Sequence, residues 1–376
     1  MLNLSEKDMI FRYYSEMRDK GGTVFDKAEG VWKSFSYEHV KYILAHDELF
    51  SSDPRSIHNQ ESYSAGGISF ITMDNPDHKE MRNITAHHFL PSTISRMKDS
   101  IHATSSGLLS RMDGNSDLIS EYAINLPVTV ISEMLGIPED KRSGFKEWSD
   151  FIIGNRTGPG FMELNQKMIS VLATLLQKSD GDSLLSLINR GIFHGNPLNM
   201  KEKIEYVMLL IIGGNETTTN LIGNMLRILS DYPDMQNELR ENRRGISEFV
   251  EEALRFYSPI QFLPHRFVSE DTEIDHIRLK RGDQIFVYLG SANRDGYFFE
   301  NPDSFLPHRK DNRHLAFGNG IHMCIGAPLA RLEAGIALEG LLDKFQKIEI
   351  DHSMTILIEN PMVYGFESMH LKRLAL

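Results

Sequence analysis

The spacing of apolar residues predicts helices along most of the chain from Asn83 to Tyr257. Apolar side chains return there at intervals of three and four residues, which places them on one face of a helix. One such stripe consists of Met168, Val171, Leu172, Leu175 and Leu176. Stripes of this kind are typical of helices that pack against a protein core, so we expect a large helical part.

Strand-like segments are fewer and lie on either side of this helical stretch. In chain order, the candidates are 23–25, 30–35, 273–279, 284–289, 354–358 and 370–374. The turn residues 280–283 predict that the third and fourth candidates form a hairpin. The last two segments form a second β candidate. The predicted fold class is therefore mainly α with a smaller β part (α+β), and the two parts are interleaved along one chain.

One predicted helix is unusually long. It begins at Asn199, which can cap the helix together with Glu202 in a capping box. Its apolar pattern continues to Asp231, and Pro233 follows as a stop signal. At 1.5 Å per residue such a helix is roughly 48 Å long, which is enough to cross a whole domain.

The middle of this helix, Gly213-Gly-Asn-Glu-Thr-Thr-Thr-Asn220, contains residues that disfavour helices. Each glycine alone costs about 1 kcal/mol relative to alanine. Glycines let a large group approach the backbone, and the hydroxyl of Thr217 can bond the carbonyl of Gly213 and loosen the helix there. A ligand site beside Glu216 explains the pattern, and a bend or a close helix crossing without chemistry explains it equally well.

Charge and cysteine content exclude several classes of protein. The chain has 376 residues, with 40 Lys and Arg against 52 Asp and Glu and a net charge of −12, which argues against a nucleic-acid partner. Its single cysteine, Cys324, rules out a disulfide scaffold and disfavours a zinc site. Since no apolar run reaches transmembrane length and the N-terminus does not resemble a signal peptide, we expect a cytoplasmic protein without a membrane anchor.

The surroundings of Cys324 make it the main candidate for chemistry. It lies in Phe317-Gly-Asn-Gly-Ile-His-Met-Cys-Ile-Gly326, and Pro328 marks the first turn of a predicted helix directly afterwards. The free N–H groups and dipole of a helix N-terminus favour a thiolate. A nucleophile, an inert buried cysteine and a thiolate ligand of haem iron remain as interpretations, of which the nucleophile lacks an evident His-Asp or His-Asn pair.

Several motifs resemble those of the cytochrome P450 family. Phe-x-x-Gly-x-His-x-Cys-x-Gly, which ends at Gly326, resembles the haem-binding signature of that family, and the segment from Gly213 to Thr218 resembles its oxygen-activating helix. Glu252 and Arg255 resemble its Glu-x-x-Arg pair, and the segment that ends at Arg309 resembles the source of a third partner. Further matches at 50–53, 74–78 and 292–295 extend the resemblance from about residue 10 to the end.

The resemblance implies a single cytochrome P450 domain over 1–376, with haem b between the long helix and the cysteine loop. The helix-rich lobe would cover roughly 80–257 and 325–345, and the β-rich lobe roughly 20–50, 260–300 and 350–376. Cys324 would bind the haem iron. The other cofactor contacts would be His78, Arg82, Arg266, His322, Phe317, Gly318 and Gly326, with the first four on the propionates. His314 is a further propionate candidate.

The same resemblance assigns catalytic and substrate-binding residues. Thr217 and Glu216 would form the acid–alcohol pair that delivers protons to dioxygen. Glu252, Arg255 and Arg309 would form a buried structural network. The substrate pocket would consist of Leu209, Ile212, Gly213, Phe262, Leu263 and Val363 (or its neighbour Met362), so the substrate is expected to be apolar.

The implied function is that of a haem-thiolate monooxygenase, which inserts one atom of dioxygen into an apolar small molecule. Its electrons would come from a separate ferredoxin-like or flavodoxin-like donor, with Arg331, Lys344 and Lys347 as candidates for the docking surface. A peroxygenase that uses hydrogen peroxide would not need Glu216 and Thr217. A non-catalytic haem sensor would not need Thr217 either. The short chain without an anchor resembles the soluble bacterial and archaeal members of the family.

Overall fold

A computed structural model describes residues 4–56, 69–142, 144–145 and 159–372. Its α-helices are α1 (Leu4–Asp19), α2 (Tyr37–Ala45), α3 (Asp77–Asn83), α4 (Pro91–Ile94), α5 (Lys98–Ser110), α6 (Asn125–Leu135), α7 (Pro159–Lys178), α8 (Leu184–Asn189), α9 (Met200–Asp231), α10 (Pro233–Glu241), α11 (Gly245–Phe256), α12 (Leu289–Ala292) and α13 (Ala327–Lys344). The strands are β1 (Thr23–Asp26), β2 (Val31–Ser34), β3 (Phe50–Ser51), β4 (Ile192–Phe193), β5 (Asn196–Pro197), β6 (Phe267–Val268), β7 (Thr272–Ile274), β8 (Ile277–Leu279), β9 (Ile285–Val287), β10 (Ile356–Leu357) and β11 (Phe366–Ser368). The predicted mainly helical α+β class is confirmed.

The long helix α9 forms as predicted. The side chain of Asn199 accepts a hydrogen bond from the N–H of Glu202 at 3.1 Å, and the carboxylate of Glu202 accepts one from the N–H of Asn199 at 2.8 Å. The helix continues through its glycines and threonines without a break, although Thr217 Oγ1 donates to the carbonyl of Gly213 at 3.0 Å. The expected loosening therefore does not interrupt the helix.

The core is built around α9, which packs against α6, α11 and α13. Every residue from Thr218 to Leu229 is buried, so this half of the helix is enclosed on all sides. The predicted stripe on α7 also faces the core, since Met168, Leu172 and Leu176 are buried. Within the described part of the chain, no helix is both long and apolar enough to cross a membrane.

The hairpin predicted around 280–283 is wrong. The hairpin joins β7 to β8, and its turn is made by Asp275 and His276, whose φ angles of 42° and 69° are positive. Short polar residues tolerate this left-handed conformation better than most, and periodicity alone did not detect the turn. The segment after 283 forms β9, which runs parallel to β2 and extends the antiparallel pair of β1 and β2.

The second β candidate is correct only for its first strand. β10 lies within 354–358, but its partner β11 precedes the predicted segment. Instead, His370 forms an isolated β-bridge with Asp117, and Leu371 forms one with Ile350. The chain after β11 therefore runs along other segments. Residues 373 and 374 of this prediction lie outside the described residues.

Candidate active site

A cavity of about 280 Å³ lies between the middle of α9 and the loop that precedes α13. Gly213 and Thr217 line it from α9, and Cys324 and Gly326 line it from the loop. The fold therefore places the two unusual sequence motifs on opposite walls of one space, which is mostly apolar. This juxtaposition identifies the candidate active site.

Two glycines shape the loop that carries Cys324. The backbone N–H of Cys324 donates to the carbonyl of Phe317 at 2.9 Å, which folds the loop back on itself. Gly318 and Gly320 have φ angles of 73° and 71°, a region that other residues rarely adopt. At Gly320 a side chain would also meet the carbonyl oxygen of Leu44, 2.1 Å from the Cβ position. Gly320 is thus required for conformation and for space.

Replacing Gly320 by alanine is expected to destabilise the protein more than replacing Gly318 by alanine. Both changes impose strain of about 1–3 kcal/mol at a positive φ. At Gly318 the nearest described atom beyond its chain neighbours is the carbonyl oxygen of His322, 4.0 Å from the Cβ position, so that variant is a control for strain alone. At Gly320 the clash adds about another 1–3 kcal/mol. Chemical denaturation measures both; equal losses would show that the contact with Leu44 does not matter.

The pKa of the Cys324 thiol is raised by burial, although the N–H groups of Gly326 and Ala327 and the charge of Arg82 act in the opposite direction. Cys324 is exposed to the cavity, and the loss of bulk water around its sulfur opposes the effect of the helix N-terminus. A coordinated metal ion deprotonates a thiol outright. The surroundings of Cys324 therefore suit a thiol that loses its proton when it binds a metal ion.

Two histidines present unused hydrogen-bonding atoms at this site. The Nε2 atoms of His78 and His322 are buried and have no hydrogen-bond partner among the described residues, and the two rings lie 4.3 Å apart. Burial lowers the pKa of His78 to about 4 and that of His322 to about 3, with a further contribution from Arg82 and Arg266. Buried polar atoms without a partner are uncommon in folded proteins, so the pair fits a ligand that carries hydrogen-bond acceptors.

The two arginines add positive charge beside these histidines. Arg82 lines the cavity and donates to the carbonyl of Met323 at 2.6 Å, and buried Arg266 donates to that of His265 at 2.6 Å. Burial lowers the pKa of both guanidinium groups, to about 10 for Arg266. Among the described residues, no carboxylate forms an ion pair with either. The four side chains therefore suit an anionic group, as the propionates of haem require.

His314 does not join this group. Its Nε2 lies 3.1 Å from a carboxylate oxygen of Glu251, and the side chain is almost fully buried. Glu251 also pairs with Arg331 at 2.6 Å, and these partners hold its pKa at about 2 despite the opposing effect of burial. The structure thus pairs His314 with Glu251.

Thr217 and Glu216 occupy different positions relative to the cavity. Thr217 lines the cavity, whereas Glu216 is half-buried beside it and is not part of the wall. Burial raises the pKa of Glu216 to about 7. A carboxyl group with such a pKa exchanges protons readily near neutral pH, so the pair combines a proton reservoir with a hydroxyl on the cavity surface.

The cavity wall agrees with part of the predicted substrate pocket. Leu209, Gly213 and Leu263 line it, whereas Ile212, Phe262 and Val363 do not. Phe262 instead stacks against Phe286 and Tyr288, and buried Val363 forms a bridge with Ile260. Sequence reasoning missed other wall residues, among them Phe70, Ile71, Phe89, Ile131, Leu210 and Ile260. Their local sequences resemble ordinary core segments, so only the tertiary fold reveals them.

A buried ion-pair network joins α11 to the segment that precedes the cysteine loop. Arg255 binds both carboxylate oxygens of Glu252, at 2.7 and 2.8 Å, and both side chains are fully buried. Arg309 adds a contact to Glu252 at 3.2 Å. Arg255 also donates to the backbone carbonyls of Asn293, Pro302 and Ser304. The network therefore ties α11 to the segment that leads toward the loop.

One family model and several known proteins are similar to the chain. The model described as Cytochrome P450 matches residues 161–370. Cytochrome P450 119 of Sulfolobus acidocaldarius is 35% identical over 371 residues, which cover 96% of this chain and 98% of that protein. Together these matches extend over both walls of the cavity.

Two solved structures are similar in fold as well as in sequence. The crystal structure of a cytochrome P450 from the thermoacidophilic archaeon Picrophilus torridus has 50% sequence identity and a TM-score of 0.84, and the match covers 93% of this chain and 99% of that one. CYP109E1 from Bacillus megaterium, in complex with corticosterone, has 33% identity and a TM-score of 0.86, with 98% and 99% covered.

Proposed function

The chain belongs to the cytochrome P450 family and is a haem-thiolate monooxygenase, and we propose that the cavity between Thr217 and Cys324 is its catalytic centre. The observation that supports this most directly is the arrangement of the cavity itself. A thiol, a hydroxyl and the imidazole of His322 converge there from separate segments, and the ring of His78 lies 4.3 Å behind that of His322. Members of the family act on small molecules with dioxygen and a redox partner.

The cofactor of this family is haem, and we propose haem b for this chain. Haem supplies the binding and activation of dioxygen, and its properties are set by the axial ligand and the groups around it. Cys324 Sγ would bind the iron. His78, His322, Arg82 and Arg266 would hold the propionates, and Phe317, Gly318 and Gly326 would surround the ring on the side of the cysteine.

The proposed role of Thr217 and Glu216 is to move protons into the cavity. A hydroxyl accepts a hydrogen bond while it donates one, so Thr217 Oγ1 can accept from cavity water while it donates to Gly213. Glu216 would hold the next proton, because burial places its pKa at about 7. The apolar wall excludes bulk water, so protons reach the site through these groups.

Replacing Thr217 by alanine is expected to leave haem and substrate binding intact while it diverts electrons from product to hydrogen peroxide. The variant removes the hydroxyl from the cavity wall but keeps the helix, in which alanine is favoured. Positioned acid–base groups contribute about 10²-fold or more to a rate, so the coupled rate should fall by about that factor. Product, peroxide and NADH consumption are measured together. Unchanged coupling would contradict the proposed role.

Thr217→Ser is the matched control, since it keeps the hydroxyl and loses a methyl group. It should retain most of the coupling of the wild type. The same measurements address the two other interpretations. A peroxygenase would be indifferent to Thr217→Ala when supplied with hydrogen peroxide, and a haem sensor would give no product from the wild type. The comparisons favour neither of them.

We propose that the substrate is an apolar small molecule. The wall is mainly aliphatic and aromatic, with polar groups at Thr217, Thr218 and the cofactor contacts. Corticosterone, bound by the relative CYP109E1, is an example of such a molecule. A spectral-shift screen with steroids, terpenes, aromatic hydrocarbons and sugars tests the class, because ligands that displace water from the iron change the haem spectrum. Binding by sugars alone would contradict it.

We also propose that the electron donor is a separate ferredoxin-like or flavodoxin-like protein. Two of the three predicted docking cations are paired with acids, Arg331 with Glu251 and Lys347 with Glu349. A groove of about 620 Å³ between α11 and α13 offers Lys98 and Arg244 as further cations, whereas Arg243 at the same groove is paired with Asp343. The rate of reduction by an acidic donor should fall as the salt concentration rises.

We also propose a cytoplasmic location for the protein, and cell fractionation tests it.

A further inference from the structure

Two consecutive histidines lie in a short 3₁₀ helix between α3 and α4. We call this helix, Ala86–Phe89, the histidine turn. His87 is exposed, whereas the side chain of His88 is mostly buried, with 14% of its surface exposed. Their rings lie 4.3 Å apart at an angle of 73°. Neither histidine is among the described residues that line the cavity of the candidate active site, so the proposed catalytic function does not account for this pair.

Hydrogen bonds on both sides hold the histidine turn in place. The N–H of His88 donates to the carbonyl of Thr85 at 3.0 Å, and the hydroxyl of Thr93 donates to the carbonyl of His87 at 3.0 Å. The hydroxyls of Thr85 and Tyr206 lie 2.9 Å apart, which connects the start of the turn to α9. The backbone that carries the two imidazoles is therefore preorganised, which lowers the cost of binding a ligand there.

Asp182 approaches the histidine turn from the loop between α7 and α8. Its backbone carbonyl lies 2.8 Å from Nε2 of His88, and its carboxylate oxygen Oδ2 lies 4.0 Å from the same atom. The loop is held by Ser186, whose hydroxyl donates to the carbonyl of Asp180 at 2.7 Å. The fold thus places a carboxylate beside an imidazole that is 94 residues away in sequence.

The spacing of these three side chains suits a metal ion. One ligand atom from each of His87, His88 and Asp182 lies within 4.8 Å of the other two, and in the part of the chain that the structure describes no other group of three has this spacing. Zinc binds nitrogen and oxygen ligands at about 2.0–2.2 Å, which places the ligand atoms of a tetrahedral site about 3.3–3.6 Å apart. Since His87 is exposed and the side chain of Asp182 is 89% exposed, small rotations can close the group to that spacing.

His88 has a free lone pair to offer to a cation. The carbonyl of Asp182 can only accept a hydrogen bond, so Nε2 of His88 carries the ring proton and the lone pair lies on Nδ1. This Nδ1 is buried and has no partner among the described residues, which is uncommon for a buried polar atom. A histidine that binds a metal ion commonly donates its second ring N–H to a backbone carbonyl. His88 therefore already has the hydrogen bond and the tautomer of a metal ligand.

Two imidazoles and one carboxylate favour a divalent transition metal. Imidazole suits zinc, copper, iron and nickel, whereas magnesium and calcium prefer sites made of oxygen ligands. Two histidines and one carboxylate also leave the fourth position of a tetrahedral zinc ion for water. Because His87 and Asp182 are exposed, an ion can enter from solvent and a water molecule can complete its shell.

We propose that His87, His88 and Asp182 form a binding site for a divalent transition-metal ion of the zinc type. The ion pins the loop between α7 and α8 to the histidine turn. Phe89, the last residue of that turn, is buried and lines the cavity of the candidate active site, so the ion also braces one residue of the cavity wall. The site takes no part in the chemistry of the cavity, and the inference does not rest on the proposed function.

The test measures zinc binding to the purified holoenzyme by competition with a chromophoric chelator. We expect one ion per chain at this site. His87→Gln and Asp182→Asn each remove a ligand at an exposed position and nearly keep the size of the side chain. The loss of an outer-shell partner already costs about 10–100-fold in metal affinity, so each variant should weaken zinc binding by at least about tenfold.

His308→Gln is the matched control. His308 is also exposed and lies between two acids, but its Nδ1 faces Glu248 and its Nε2 faces Glu238 at 3.0 Å. Because the two nitrogens point to opposite sides of the ring, one ion cannot join all three side chains. The variant should therefore bind zinc as tightly as the wild type does.

Thermal unfolding provides a second readout, because an ion that binds the folded protein stabilises it. Zinc at 100 times its Kd should raise the Tm of the wild type and of His308→Gln by about 3 °C. The rise should be about half as large or smaller in His87→Gln and Asp182→Asn at the same zinc concentration.

Equal zinc affinity in the wild type and in both ligand variants would overturn the site. So would a loss of affinity in His308→Gln as large as that in His87→Gln, since exposed histidines in general would then be responsible. Zinc-edge X-ray absorption on the wild-type holoenzyme is independent of any variant. It should show two imidazole ligands, and a spectrum with one or none would contradict the proposal even if the variants failed to fold.

Discussion

Replacing Cys324 by histidine is expected to abolish the red-shifted Soret band of the ferrous carbon monoxide complex and to remove monooxygenase turnover. The cysteine is the only thiol of the chain, and it lines the cavity opposite Thr217. An imidazole can bind iron but does not supply the electron density of a thiolate, which favours O–O cleavage. Loss of an outer-shell partner typically costs about 10–100-fold in metal affinity or activity, so the loss of the ligand should exceed 100-fold.

The control for this variant is Met323→Leu, because Met323 is next to Cys324 and half-exposed. It should keep the spectrum and the turnover of the wild type. If Met323→Leu alone loses the band, the loop as a whole is sensitive to change and the result for Cys324→His is not specific. If the wild-type complex itself lacks the red-shifted band, thiolate ligation is wrong for this protein.

The sequence predicted the parts of the site that local chemistry determines. A capping box and a cysteine before a helix leave signals within a few residues, and the structure shows Asn199 and Cys324 in those local settings. The pairing of Glu252 and Arg255 was predictable for the same reason, since residues three apart on a helix are neighbours.

Long-range placement was less predictable. Periodicity identified β9 as a strand but not its parallel partner β2, which lies some 250 residues earlier. The left-handed turn at Asp275 and His276 contains no glycine. The predicted hairpin turn was therefore placed wrongly, at 280–283. Phe70, which precedes α3, and Ile131 on α6 line the cavity beside α9 only because of the tertiary fold, and their sequences resemble core.

The resemblance to a family and the physical interpretation of residues contributed different information. Without the family resemblance, the residues in the middle of α9 are compatible with a helix crossing as well as with a ligand site. The structure shows a close helix crossing, since α9 packs on α6 at Gly214, and it also shows a cavity at Gly213, which stays a proposed ligand site. Unpaired atoms at His78, His322 and Asn220 became visible only in the tertiary structure, because the presence of a partner depends on distant segments.

Replacing Glu252 by glutamine is expected to lower the free energy of unfolding by about 3–5 kcal/mol, the usual cost of breaking a buried ion pair from one side. The variant keeps the shape of the side chain but leaves the guanidinium groups of Arg255 and Arg309 without a counter-charge in the core. Glu252 also accepts a hydrogen bond from the N–H of Leu306 at 2.8 Å, so the segment toward the cysteine loop should loosen. Guanidinium denaturation and haem content are measured side by side.

Glu248→Gln on the same helix is the matched control. Glu248 pairs with His308, and both side chains are more than half exposed, at 55% and 60%, so the loss should stay below about 1 kcal/mol. Similar losses in the two variants would contradict a special role for burial. If Glu252→Gln is destabilised but retains haem fully, the network stabilises the fold without positioning the loop. Because Arg255 bonds three backbone carbonyls between Asn293 and Ser304, we expect haem loss before the helices unfold.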